Sequence, residues 1–196
     1  MPRIAIFASG SGTTAEALIT ACANGRIPAQ VAIIIGNNSA SQVFARAARL
    51  AVPARHLSGV THPEPGALDA AILRTLREVT ATHIVLAGYM KKLGPLTLQA
   101  FAGRAFNTHP ALLPAFGGQG MFGRNVHRAV LESGVRTTGA TVHHVHADYD
   151  TGPIISQIEV AVSASDTIDT LADRVQQAER DLLIRTLRTI LINDRP

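Results

Sequence analysis

Arg3-Ile4-Ala5-Ile6-Phe7-Ala8-Ser9-Gly10-Ser11-Gly12-Thr13-Thr14-Ala15 opens the chain with an apolar run, a glycine-rich hinge and the first turn of a helical pattern. Residues 3–8 read as a strand with both faces apolar, the mark of a parallel sheet covered on both sides, and residues 14–23 as a helix. The same switch of period recurs downstream. Strands are predicted over 31–36, 53–57, 83–88 and 104–109, and helices over 40–50, 65–79 and 95–100. Strand and helix in alternation predict an α/β fold: an open, mostly parallel twisted sheet with a Rossmann-like amino-terminal half and helices on both faces. After a glycine-rich stretch at 117–123 the pattern changes. A short helix at 126–133 is followed by alternating runs at 139–146 and 154–162, which predict late antiparallel or mixed edge strands. Ile168, Leu171, Val175, Leu182, Leu183, Leu187 and Ile190 then predict a long C-terminal helix over 167–191, with Asp166 as its cap.

The 196 residues fit one domain, and 46% hydrophobic against 16% charged residues is enough apolar surface for a folded core. No apolar run approaches the roughly 20 residues a bilayer requires, and no basic-then-apolar leader stands at the start, so a cytoplasmic protein without membrane association is expected. A lone Cys22 cannot close an intrachain disulfide. The formal charge of +4 comes from scattered arginines and from Lys91 and Lys92, the only lysines. With eight aromatics (two Tyr, six Phe) and no basic run beside them, a nucleic-acid groove is not expected. A small anionic ligand suits this balance.

Three clusters could carry chemistry. Gly10, Gly12, Thr13 and Thr14 stand where the first strand hands over to the first helix. They read either as a phosphate cradle of helix-start N–H groups or as a tight turn capped by Thr13. A dinucleotide site is disfavoured, because the second strand ends in Gly36-Asn37-Asn38 rather than in a ribose-binding carboxylate. Asn107-Thr108-His109-Pro110 closes the fifth strand. Residues two apart share a face, so the Asn107 amide and the His109 imidazole can converge on one substrate atom, an arrangement suited to acyl transfer. His146-Ala147-Asp148-Tyr149-Asp150-Thr151-Gly152-Pro153 has turn composition, yet a carboxylate from it that reached His109 could hold that ring's tautomer. Of His143, His144 and His146 only two can share a strand face, so no metal is expected there.

In order and separation, Ser9-Gly10-Ser11-Gly12-Thr13-Thr14, Leu86-Ala87-Gly88-Tyr89-Met90-Lys91-Lys92-Leu93, Asn107-Thr108-His109-Pro110-Ala111-Leu112-Leu113-Pro114 and Gly139-Ala140-Thr141-Val142-His143 with Asp150-Thr151-Gly152-Pro153 resemble the folate-dependent formyltransferases. The resemblance covers nearly the whole chain and implies one formyltransferase domain, with residues 1–100 as the nucleotide half and 101–196 as the catalytic and folate half. It implies transfer of a formyl group from 10-formyltetrahydrofolate, a cosubstrate, to the amine of glycinamide ribonucleotide, by a monomer or homodimer and without a metal. Asn107 would bind the formyl oxygen, His109 would donate a proton and stabilise charge, and Asp150 would orient His109. Gly12, Thr13 and Thr14 would hold the nucleotide phosphate, and Glu179 the ribose hydroxyls. Met90, Lys91, Lys92 and Leu93, with Asn107, His146, Ala147, Asp148, Tyr149 and Asp150, would line the folate site.

The family usually carries Asn at the position of Thr14, commonly Pro at that of Gly117 and often His at that of Arg180, and an arginine sometimes used for the folate tail is missing around Pro65, which leaves Lys91, Lys92 or another cation to serve. The stretch at 117–126 is expected to be a mobile loop over the site. Transfer to another amine, such as that of an amino-sugar nucleotide, and a non-catalytic nucleotide-binding α/β module are the alternatives.

Overall fold

The computed structural model describes residues 1–193. Seven strands and six helices alternate: β1 (Arg3–Ala8), α1 (Thr13–Ala23), β2 (Gln30–Gly36), α2 (Val43–Arg49), β3 (Ala54–His56), α3 (Ala67–Glu78), β4 (His83–Leu86), α4 (Pro95–Ala100), β5 (Ala105–His109), α5 (Arg124–Ser133), β6 (Thr137–His144), β7 (Ile154–Ala161) and α6 (Ile168–Asn193). The strands form one sheet in the order β3-β2-β1-β4-β5-β6-β7. β1 pairs in parallel with β2 and β4, β2 pairs in parallel with β3, and β6 and β7 are antiparallel, with β7 at the edge. The expected architecture is present.

Two compact units divide the chain. Among the described residues the first comprises 1–106 with 187–193, the second 107–186. In the first, Ile4, Ala5, Ile6 and Phe7 of β1, Ile34 and Ile35 of β2 and Ile84 and Val85 of β4 are sealed from solvent, which is why these strands read as continuous apolar runs rather than as alternation. β1 lies between β2 and β4, and its chain leaves toward one side while that of β4 leaves toward the other. Such a switch point opens a crevice at the carboxyl ends of the two strands, where ligands of open α/β sheets bind. The second unit has its own core of Ala111, Val126, Val130, Leu171 and Val175, with Phe116, Met121 and Leu131 packed against it.

Several element ends differ from the sequence reading, each for a local reason. α2 starts at Val43 rather than Ala40, because the Ser41 hydroxyl turns back to accept the Val43 N–H at 3.3 Å. β4 ends at Leu86, short of Gly88, whose φ of 73° leaves the extended region. α5 starts at Arg124, two residues before the predicted Val126. β6 runs from Thr137 to His144 rather than from Gly139 to His146. α6 starts at Ile168, and its cap is Thr167 rather than Asp166. The Thr170 N–H donates to Thr167 Oγ1 at 3.2 Å and the Thr167 N–H to Thr170 Oγ1 at 3.0 Å, a reciprocal capping arrangement. Asp166 instead binds Arg174 at 2.6 Å and the Ser163 N–H at 2.8 Å.

Candidate functional site

In the first unit the crevice between β1 and β4 is floored by backbone. The Ser9 N–H donates to Gly88 O at 3.0 Å, and the Met90 N–H donates to Ser9 Oγ at 2.8 Å. Ser9 Oγ in turn donates to Asn37 Oδ1 at 2.6 Å, so the asparagine that stands where a dinucleotide site would place a carboxylate serves to hold this loop. The loop carbonyls are drawn outward: Gly10 O accepts from Ser41 Oγ, Ser11 O from Arg46 Nε at 2.7 Å, and Gly12 O from the Glu16 N–H at 2.9 Å. Arg46 and Arg49 pair with Glu16 in the first turn of α1, which neutralises the one acidic group there.

The residue before α1 is Gly12, not Thr13, and no side chain caps the helix. Thr13 is the first helical residue, so the N–H groups of the opening turn have no partner within the helix. Gly12 sits at φ 76°, and a Cβ there would lie 2.5 Å from the Val43 side chain, so both conformation and space require glycine. Nearby, Met90 is 45% exposed, Lys91 and Lys92 are exposed, and Leu93 is buried in the core at 4%.

The second unit brings Asn107, His109 and Asp150 together. Asp150 Oδ2 lies 3.4 Å from His109 Nδ1 and accepts the Gly118 N–H at 2.9 Å; Oδ1 lies 3.5 Å from Asn107 Nδ2. A fourth group completes the cluster. His143, 2% exposed, presents Nε2 to Asn107 Nδ2 at 3.1 Å and to Asp150 Oδ1 at 3.6 Å, while its Nδ1 meets His144 O at 2.8 Å. A carbonyl can only accept, so His143 Nδ1 carries the proton and Nε2 accepts from the Asn107 amide. The same reasoning orients Asn107: an amide oxygen in place of Nδ2 would face a carboxylate oxygen. It also fixes His109, whose Nε2 donates to Phe116 O at 2.7 Å and leaves Nδ1 toward Asp150.

Electrostatics follow from this packing. Burial lowers the His109 pKa and the neighbouring His143 adds to that, outweighing Asp150 and the Phe116 carbonyl, so the ring is neutral near pH 7. For Asp150 burial acts upward, but at the acid pH where a carboxyl titrates the hydrogen bond from protonated His143, the charge of protonated His109 and the Gly118 N–H together hold it below the usual range. The pair is therefore a carboxylate beside an imidazole whose Nδ1 faces it at 3.4 Å.

Thr108 leaves β5 on the opposite face and donates its hydroxyl to Glu179 Oε1 in α6 at 3.1 Å. Burial pushes the Glu179 carboxyl up to about 7 against the Thr108 bond and the charge of Arg180. His146, Ala147, Asp148 and Tyr149 are exposed in the turn after β6. At its far end Gly152 abuts the carbonyl of His144, a contact that any Cβ would occlude. Among the described residues no group of three or more His, Cys, Asp and Glu is placed to hold a metal ion, and no helix is long and apolar enough to cross a membrane.

Sequence reasoning missed His143, read only as part of a histidine cluster, and the backbone of Phe116 and Gly118. The available signal for His143 was its spacing of two from Thr141 on β6. Thr141, on the same face, donates to Ala111 O at 2.7 Å and accepts the Leu113 N–H at 3.0 Å, tying the segment after β5 to β6.

Residues 2–187 match the formyl transferase family. The chain is 33% identical to phosphoribosylglycinamide formyltransferase of Bacillus subtilis over all of its own length and 98% of that protein. It is 36% identical to the chloroplastic phosphoribosylglycinamide formyltransferase of Arabidopsis thaliana over 96% of its length, and spans just under two thirds, 65%, of that relative. Among solved structures, phosphoribosylglycinamide formyltransferase of Bacillus halodurans superposes with a TM-score of 0.91 at 38% identity, covering 98% of this chain and 97% of the other.

Proposed function

The chain belongs to the formyl transferase family, and from that membership we propose that it transfers the formyl group of 10-formyltetrahydrofolate to the primary amine of glycinamide ribonucleotide, a step of de novo purine synthesis. The observation that carries this reading is the meeting of Asn107, His109, His143 and Asp150 around one small volume at the end of β5. The folate supplies an activated one-carbon group. The protein's part is to stabilise charge on the formyl oxygen and to manage the proton that the amine loses.

Asn107 would donate the amide hydrogen that now makes the long 3.5 Å approach to Asp150, while its other hydrogen stays on His143 and fixes the amide plane. His109 would take up and return a proton at Nδ1, and Asp150 would stabilise the imidazolium so formed. No metal is called on in this scheme. In the first unit, Gly12, Thr13 and Thr14 would hold the nucleotide phosphate with the unpartnered N–H groups that open α1, and the exposed Met90, Lys91 and Lys92 would meet the folate, with Leu93 supporting them from the core. In the second, the exposed turn of His146, Ala147, Asp148 and Tyr149 would also meet the folate, and Glu179 would accept from the ribose hydroxyls. Both units would serve one catalytic domain.

Formyl transfer to glycinamide ribonucleotide, followed by the absorbance of the released folate, tests the reading. Wild-type protein should turn over, and Asn107→Ala and His109→Ala should fold and lose at least about 10²- to 10³-fold in kcat. Near-normal turnover in either variant, or none in the wild type, would overturn it.

A further inference from the structure

Glu179 is half-buried, and its carboxylate receives a single side-chain donor. Thr108 Oγ1 binds Oε1 at 3.1 Å, whereas Oε2 receives no hydrogen bond among the described residues and is not sealed from solvent. A carboxylate offers about four acceptor sites, so most of this one's capacity is left for a ligand. The ligand class comes from the proposed function: a nucleotide ribose carries adjacent O–H donors, and the oxygen that Thr108 leaves free can accept from them. Burial disfavours the ionised carboxylate and the Thr108 hydroxyl favours it, so the hydroxyl also keeps the acceptor in its working form.

Thr108 itself has no need of its hydroxyl for the strand. Valine or isoleucine would hold β5 as well, since β-branched shape is what a strand favours. Its neighbours on either side are Asn107 and His109, so whatever Thr108 fixes is placed in register with the reacting groups.

We propose that Thr108 is a positioning residue for sugar recognition, holding one oxygen of Glu179 so that the other is aimed at the vicinal hydroxyls of the nucleotide ribose. The inference rests on the reading that glycinamide ribonucleotide is the acceptor, and goes beyond it by naming the residue that makes Glu179 selective for a ribose over a deoxyribose. It also explains why a hydroxyl-bearing residue stands between the two catalytic side chains.

The test is a cycle between protein and substrate, with Thr108→Val and Thr108→Ser assayed on glycinamide ribonucleotide and on its 2′-deoxy analogue. Thr108→Val should raise KM for the ribonucleotide about tenfold with kcat within about threefold, and should add less than about threefold on the deoxy analogue. Thr108→Ser should follow the wild type on both. Glu179→Gln provides a second arm should Thr108→Val fail to fold: its penalty should likewise shrink on the deoxy analogue. An equal penalty on the two substrates, or an unchanged KM for the ribonucleotide, overturns this inference alone. A wild type inactive on glycinamide ribonucleotide but active on another amine overturns the preceding reading, and this one with it.

Discussion

Replacing Asp150 by asparagine keeps the shape of the site and removes one charge. In the wild type, a proton arriving at His109 Nδ1 creates an imidazolium 3.4 Å from Asp150 Oδ2. With an effective dielectric constant of about 20, Coulomb's law makes that attraction about 5 kcal/mol. Part of it is recovered in the variant, because an amide oxygen at the same place still presents a dipole. A net loss of about 3 kcal/mol remains, which is roughly a hundredfold in kcat. The direction of the accompanying titration is fixed. Asp150 raises the His109 pKa against the larger downward effect of burial, so Asp150→Asn should drive it still lower. Steady-state kcat across pH, together with NMR titration of the His109 ring, measures both effects. A loss of less than about fivefold, or a His109 titration that stays put or moves upward, would refute the carboxylate–imidazole couple as the seat of proton handling.

Three further outcomes follow from the same geometry. His143→Leu should lower kcat by about 10- to 100-fold while leaving KM for the nucleotide nearly unchanged, because Asn107 loses its 3.1 Å acceptor but the sugar contact does not; a rise in KM alone would contradict this. For Glu179 the folded-state pKa of about 7 lies above the unfolded value, so its neutral form is favoured by folding, and the stability it contributes is present at low pH and lost as pH rises from about 4.5 to 7. Glu179→Gln should therefore be more stable than the wild type at pH 8 by as much as about 3 kcal/mol in urea unfolding and no more stable at pH 4, and equal differences at the two pH values would refute the assignment. Gly152→Ala should lose several kcal/mol of stability, or push the turn off β6 and take Asp150 with it, since the carbonyl of His144 occupies the space a methyl group needs; a normally stable, normally active variant would show that the contact is slack.

Sheet and helix order could be read from periodicity because β1, β2 and β4 are buried along nearly their whole length and so stand out as continuous apolar runs. Pro95 marked the start of α4, and α4 begins there. Ends were harder to place where side chains compete to cap them: Ser41 delays α2, and Thr167 takes the cap that Asp166 seemed suited to fill. Within the site, Asn107 and His109 were legible as a pair from their spacing of two. Asp150 lies 43 residues beyond Asn107, and only the family resemblance marked it, since in composition it belongs to an ordinary turn. His143 was read only within a histidine cluster because its partner Asn107 is 36 residues away in sequence, on the neighbouring strand β5. The contributions of Phe116 and Gly118 come through main-chain atoms, on which side-chain identity is silent.

Phe116 and Gly118 stand two residues apart, yet one carbonyl grips His109 and the other residue's amide grips Asp150. His109 and Asp150 are thus both held by one short piece of backbone. Phe116, at φ 55°, packs against the core of Ala111, Val126 and Val130, so the placement of both contacts depends on apolar packing. Editing the polar residues of this site one at a time would leave that common grip in place. A shift of a methyl group beneath Phe116 would move both ends together.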